Sequence, residues 1–426
     1  MTTTAARPAA SDSSFPTRVI SIDALRGLVM FTMIFVNDLA GVSHQIVPWW
    51  MRHFKADGNG MTFVDLVFPA FLFIVGMSIP LSLGSRLNRA EPAWKILFHV
   101  LIRTLSLLLT GILMVNESPD SAQLGWSANL WSTLMYLAAI LAFGSIAPPP
   151  KSDPGVTTKS PGRMVAILFR FAGFLGLAFL AFAFRGRNGE RIISLSPFFI
   201  HSSWYGILGL IGWAYLVACI VFFLFRENRT ALLGCMVLLM CMYPAARTGT
   251  FDHFWLNHLV GIGETLGSQG AITVGGMLLA SILITPEMAN RGARAWFTFL
   301  FVLGCAGGAL LLHGLYGINK NSATPSWCLW ACSITGALWL LLHLLCESRA
   351  FGLLAKPLAI AGSNVLLAYL ISEMLPSALD LLHLGDWYSR LAEANLFCAV
   401  ARSAGCGVVI LVLSVLINRA GFRLKL

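Results

Sequence analysis

Residues 18–47, RVISIDALRGLVMFTMIFVNDLAGVSHQIV, and residues 61–83, MTFVDLVFPAFLFIVGMSIPLSL, decide the class of this chain. Each carries an apolar run of about 20 residues, enough for a helix to cross a hydrocarbon core roughly 30 Å thick. Yet Asp23, Arg26, Asn37, Asp38, His53 and Asp65 sit on or beside these two runs. Charge is costly at such places unless it is paired, so the cluster marks a site rather than a surface.

Outward from this pair the apolar pattern continues. Runs fall near 27–47, 62–83, 96–115, 127–146, 164–184, 204–225, 230–247, 269–285, 295–312, 327–345, 357–380 and 396–418. They predict an all-α polytopic transmembrane helical bundle of about twelve helices, within a range of about 10–12. The composition agrees: 57% of residues are hydrophobic and 11% charged, against about a quarter charged in soluble domains. Mean hydropathy is +0.76.

Lysine and arginine concentrate in alternate connections, among them Arg86, Arg89, Lys95, Lys151, Lys159 and Arg163. By the positive-inside rule this predicts that both termini are cytoplasmic. The same bias accounts for much of the net charge of +10. No basic run interleaved with aromatics accompanies it, so no nucleic-acid partner is predicted. Residues 1–18 lack the apolar core of a signal peptide and read as a disordered cytoplasmic tail. A single transmembrane domain over 19–426 follows, with the Pro-rich segment 148–163 as a loop inside it. The nine cysteines read as buried free thiols. Cys328 and Cys332 are one helical turn apart, but no histidine or second pair completes a ligand set, so no metal is predicted.

The chemistry-bearing residues gather in the connections on the other side. Of nine histidines only His99 and His343 fall on the side of the termini. His53 lies in a loop with Asp57 and Asn59, where an imidazole can accept a proton from an amine. Thr62 and Asp65 have capping-box spacing at the start of the second helix. Asp23 and Arg26, three apart, can pair on one helical face, and Asp23 can also cap the helix start. Arg26, with Gly27 beside it, suits a phosphate-bearing ligand, and Arg18 reads equally as a positive-inside anchor. Asn37 lies eleven residues past Arg26, about 16 Å deeper, where an amide needs a partner. Asn319, Lys320 and Asn321 suit sugar hydroxyls or an anion, or form a solvated loop. Asn364 and Glu373 interrupt an apolar helix, and Glu373 is either functional or a partner of Arg402. Glu264 sits among Gly263, Gly267 and Gln269.

The segments SIDALRGLVMFTMIFVN, TFVDLVFPAFLFIVGMSI, GETLGSQGAI, INKNSATPSW and GSNVLLAYL span nearly the whole chain. In this order they resemble the membrane acyltransferase family of heparan-alpha-glucosaminide N-acetyltransferase and its bacterial relatives. The resemblance implies acetyl-CoA as co-substrate from the cytoplasmic side, an amino sugar or glycan as acceptor from the other, and no metal. It assigns His53, Asn37 and Asp65 to catalysis, with His53 aligned through a short insertion and Lys55 falling at that place without one. Arg18, Asp23 and Arg26 are then the expected CoA-binding residues. Asp38, Glu264, Asn319, Lys320, Asn321 and Asn364 are the expected acceptor-binding residues. NLWSTLMYL departs from relatives that carry a Gln-Arg pair there. The implied location is a bacterial cytoplasmic (inner) membrane, with lipid as the surrounding partner and a homodimer as one assembly open to it. A transporter for amino sugars or cell-wall fragments would use the same polar residues without chemistry. It predicts paired broken helices in two halves, and no internal repeat is visible.

Overall fold

The structure, a computed structural model, describes residues 19–115, 119–146, 161–195, 198–200, 204–283, 290–347 and 352–424. The N-terminal tail with Arg18, and most of the Pro-rich loop, lie outside these residues.

The long helices are α1 (Ile20–Ala40), α2 (Val67–Asn88, entered through a 3-10 turn at Phe63–Leu66), α3 (Ala93–Val115), α4 (Ala128–Phe143) and α5 (Pro161–Ala183). They continue as α6 (Gly206–Phe225), α7 (Arg229–Arg247), α8 (Gly270–Ser281) and α9 (Arg291–Tyr316). The last are α10 (Pro325–Glu347), α11 (Gly352–Ala361), α12 (Val365–Leu381) and α13 (Leu396–Arg419). Ten described helices are long and apolar enough to cross a membrane. Each of the twelve apolar runs coincides with a helix over most of its length, but Ala128–Phe143 is shorter than a full span. The run near 269–285 forms α8 behind a π-helix at Ile262–Gln269. The first helix is displaced by about two turns from the expected 27–47. It starts at Ile20 and ends at Ala40 because the Asp23–Arg26 pair lets both charges enter the helix.

Ile20 and Arg419 lie at one end of the bundle, where strand Gly144–Ile146 pairs antiparallel with Phe422–Leu424. This end is called the terminal face below, and the other the opposite face. Exposed tryptophans mark both boundaries. Trp94 and Trp296 stand at helix starts on the terminal face, and Trp49, Trp255 and Trp387 in the connections of the opposite face, as membrane-interface aromatics do. Between the two belts, side chains such as Leu311 and Phe397 are 81% and 79% exposed, a surface that only lipid would cover favourably.

The centre of the bundle is α8, every residue of which is buried. It meets α2 through reciprocal glycines: a Cβ on Gly76 would strike the carbonyl of Thr273, and one on Gly276 the carbonyl of Phe73. A second close crossing joins α1 to the α11–α12 junction, where Gly27 faces the carbonyl of Leu358 and Gly362 faces that of Asp23. Small residues let backbones pack where apolar burial gives no net drive between helices in lipid. Gly76→Leu is expected to lower the thermal midpoint of the detergent-solubilised protein by a cost of about 1–3 kcal/mol. Gly405→Leu, at a position with open space around the missing Cβ, is expected to leave it unchanged. Differential scanning of the two variants checks the contrast.

Candidate functional site

At the opposite face the chain builds a site around one carboxylate. Asp65 lies in the 3-10 turn that starts the second span, with its side chain 2% exposed. Its Oδ2 accepts from the backbone N–H groups of Thr62 (3.0 Å) and Phe54 (3.0 Å), and the Thr62 hydroxyl donates to the carbonyl of Arg52 at 2.7 Å. The capping role read from sequence is therefore present, but it uses only one oxygen. Oδ1 stands 2.8 Å from His53 Nδ1 and 3.6 Å from Lys320 Nζ. A carboxylate can only accept, so Nδ1 carries the proton and Nε2 is left as the basic nitrogen. Lys55 is exposed and has no hydrogen bond to Asp65. Of the two residues that compete in alignment, the carboxylate holds His53.

The loop before α10 is clamped onto the loop that carries His53. Gly60 N–H donates to the Ile318 carbonyl (2.8 Å), and Ile318 N–H donates to Asn59 Oδ1 (2.7 Å). Asn319 Nδ2 donates to the carbonyls of Ala56 (2.7 Å) and Gly58 (3.1 Å), and its Oδ1 accepts from Ser322 N–H. Asn319 was expected to face an acceptor. Both its amide hydrogens are instead spent on the clamp, which brings Lys320 Nζ to 3.1 Å from His53 Nδ1. Burial lowers the pKa of Lys320 from the ordinary ammonium value, and the charge of Asp65 opposes that fall.

His53 borders two cavities. One of about 240 Å³ is lined by Lys55, Asp65, Lys320 and Asn321. The other, about 670 Å³, reaches past Trp49 and Asn59 to Val36 and Leu39 of α1. A third cavity of about 530 Å³ opens at the terminal face among Arg26, Arg86, His99 and Arg103 and extends to Met33 and Phe71. Arg26 donates to Asp23 (2.8 Å) and Ser78 (2.8 Å), so Asp23 orients the guanidinium rather than capping the helix. Arg86 Nη2 lies 3.3 Å from His99 Nε2, and Arg103 lies over the ring of Tyr215. Arg86, His99 and Arg103 are not singled out by the sequence reading: Arg86 and His99 read as residues near helix ends, and Arg103, although it lies inside the run 96–115, has no partner within reach in the sequence. Only the packing of α2 against α3 and α6 turns them towards one space.

Other expected residues fall apart from this centre. Asn37 Nδ2 donates to Glu373 Oε1 at 2.8 Å, and no hydrogen bond joins it to His53. Asp38, rather than Glu373, is the partner of Arg402: Nη2 and Nε donate to its Oδ2 at 3.0 and 3.2 Å. Ser403 and Tyr388 hydroxyls complete its shell, so the carboxylate expected at the acceptor locks α1 to α13 instead. Asn364, also expected at the acceptor, lies at the far end of the molecule. It is buried in the terminal-face cavity, where Leu424 N–H donates to its Oδ1. Glu264 opens the π-helix, whose Gly263 packs on Ala246 and Tyr243 of α7; no hydrogen bond joins Glu264 to His53, Asp65 or Lys320. Arg18 is outside the described residues.

Replacing Asp65 by Asn removes the charge that holds up the pKa of Lys320 and leaves the burial that lowers it. The half-point for acylation of Lys320 by an amine-selective reagent is therefore expected to move to lower pH in Asp65→Asn. Competitive labelling with mass spectrometry reads it, and an unmoved half-point would contradict the assigned coupling.

Comparison with known proteins adds two findings. The chain is 38% identical over 114 residues to the human heparan-alpha-glucosaminide N-acetyltransferase, a match that covers 27% of this chain and 16% of that protein. It is 37% identical over 109 residues to the mouse protein of the same name, covering 26% and 16%. The chain therefore matches only about a sixth of the length of these relatives. Residues 18–258, more than half of the chain, match the family described as a domain of unknown function, DUF5009. This stretch contains His53, Asp65, Arg26, Arg86 and Arg103, and on that match the chain belongs to the DUF5009 family.

Proposed function

We propose that this chain is a multi-pass membrane acyltransferase that moves an acetyl group from acetyl-CoA, entering at the terminal face, to the amine of an amino sugar or glycan at the opposite face. The observation that carries the reading is the relation of the two ends of α1. Arg26, Met30 and Met33 line the basic cavity, and Val36 lines the cavity that His53 borders. Met33 and Val36 are about 4.5 Å apart in rise. The cavity with the basic mouth and the cavity that His53 borders therefore reach neighbouring turns of the same helix. The names of the human and mouse relatives support the same chemistry.

The donor suits the space. Phosphates and a nucleotide favour guanidinium partners. Arg103 Nε and Asn364 Nδ2 are buried in the walls of the cavity without a hydrogen-bond partner, an arrangement that a polar ligand would complete. Arg26, Arg86 and Arg103 would hold the phosphates of CoA, with the apolar walls around Met33 and Phe71 taking the thioester arm. In the reaction the acceptor nitrogen bonds to the acetyl carbon, the carbon–sulfur bond breaks, and the CoA thiolate takes a proton. His53 Nε2 removes the proton from the amine, with Asp65 fixing the ring and balancing its positive charge. Transfer through an acetyl-histidine uses the same nitrogen as nucleophile. Asn37, whose amide donates to Glu373 and which lines neither cavity, is given no part in the transfer. Lys320 and Asn321 would meet the acceptor in the smaller cavity. The terminal face is cytoplasmic in this reading.

The test is CoA release from acetyl-CoA in detergent with glucosamine as acceptor. His53→Ala is expected to lose about 10²–10⁴-fold in rate, and a rate equal to the unaltered protein would end the proposal. Arg103→Ala is expected to raise KM for acetyl-CoA with a smaller change in kcat, the pattern of lost ground-state binding. A kcat loss at constant KM would remove Arg103 from the donor site.

A further inference from the structure

A fourth cavity, unconnected with the proposed chemistry, lies between α7 and α9. It has a volume of about 740 Å³ and runs from Arg229 and Thr230 at the terminal face to Pro244 and Tyr316 near the opposite one. Along α7 this is fifteen residues, about 22 Å of a hydrocarbon core roughly 30 Å thick. Between its ends the walls are apolar, with Leu233, Val237 and Phe301 among them. Gly304 forms part of the floor, and a Cβ there would meet open space. The two helices bury only 22% and 17% of their apolar windows inside the bundle.

The terminal-face end differs in one respect. The Arg229 guanidinium stands over the Phe297 ring, 5.3 Å from its centroid, and its Nη2 is buried without a hydrogen-bond partner. Burial raises the pKa of the neighbouring acid, Glu227, against the opposing charge of Arg226, and no ion pair joins it to Arg229 among the described residues. A buried guanidinium N–H without an acceptor is costly. It is placed where the headgroup of a lipid would lie if the acyl chain filled the groove. We infer that the α7–α9 groove is a binding site for one anionic phospholipid, with the acyl chain between the helices and the phosphate on Arg229. Neither a neutral tail nor a free anion satisfies both halves of the groove.

The test uses the full-length protein reconstituted in equal parts of phosphatidylglycerol and phosphatidylcholine, re-extracted and weighed by native mass spectrometry. The unaltered protein is expected to retain phosphatidylglycerol in preference to phosphatidylcholine by about fivefold, the scale of one basic side chain at an anionic surface. Gly304→Leu fills the groove and is expected to abolish retention. Leu233→Trp fills it from the other wall and serves if the first variant does not fold. Arg229→Gln is expected to keep lipid but lose the headgroup preference. Lipid retention unchanged in both groove-filling variants would overturn the inference, as would a preference that survives in Arg229→Gln. Two further outcomes also overturn it. One is inorganic phosphate binding at Arg229 with no lipid retained. The other is a change from dimer to monomer in the groove-filling variants at constant lipid content, which would assign the groove to a second copy of the chain.

Discussion

The carboxylate of Asp65 is the constraint on which the candidate site depends. It is buried, so each of its oxygens must be satisfied from within. One oxygen takes the backbone N–H groups of Thr62 and Phe54, which fixes the turn into α2 and the loop before it. The other faces His53 and Lys320, which arrive from different parts of the sequence. A helix cap in most proteins does no more than satisfy a helix end. Here the same cap sets the tautomer of a histidine, because the oxygen left over from capping points into the loop.

The rest of the bundle holds that carboxylate's surroundings in place. Reciprocal glycines bring α2 against the wholly buried α8, and a second glycine pair brings α1 against the α11–α12 junction. Dispersion and backbone proximity do this work in lipid, where apolar burial gains little between helices. On the opposite face the Asp38–Arg402 pair ties the end of α1 to α13, with Tyr388 and Ser403 filling the remaining sites on the carboxylate. Burial raises the pKa of the Tyr388 phenol, and its bonds to Cys406 and Asp38 add to the rise. The phenol therefore remains a hydrogen-bond donor to that pair. The loops at this face are joined by backbone and amide bonds from Asn59 and Asn319. A site carried on loops is thus given the rigidity of the helices beneath it.

The cavities of the proposed reaction divide the charges in a consistent way. Arginines gather at the terminal-face mouth, where they also serve the positive-inside bias, and the histidine–carboxylate pair stands at the other end. The fourth cavity, between α7 and α9, has neither acid nor histidine in its walls. Its single guanidinium points to binding rather than chemistry.

The sequence by itself determined the helical membrane architecture, since runs of about 20 apolar residues have no other stable form in lipid. It also determined the importance of the segment from Asp23 to Asp65, because charge there requires a partner. What it could not supply were the partners. Asp38 and Arg402 are 364 residues apart, and Asn37 and Glu373 are 336 apart; no local spacing relates them. For the same reason Asn319 read as a binding residue and proved to be a clamp, and Asn364 read as part of one face and lies at the other. Arg86, His99 and Arg103 became a group only when α2, α3 and α6 packed together. Which of His53 and Lys55 meets Asp65 was likewise decided by the tertiary structure. The loop's path is set by the Asn59, Asn319 and Phe54 hydrogen bonds, and these place the imidazole, rather than the lysine two residues later, on the free oxygen of the cap.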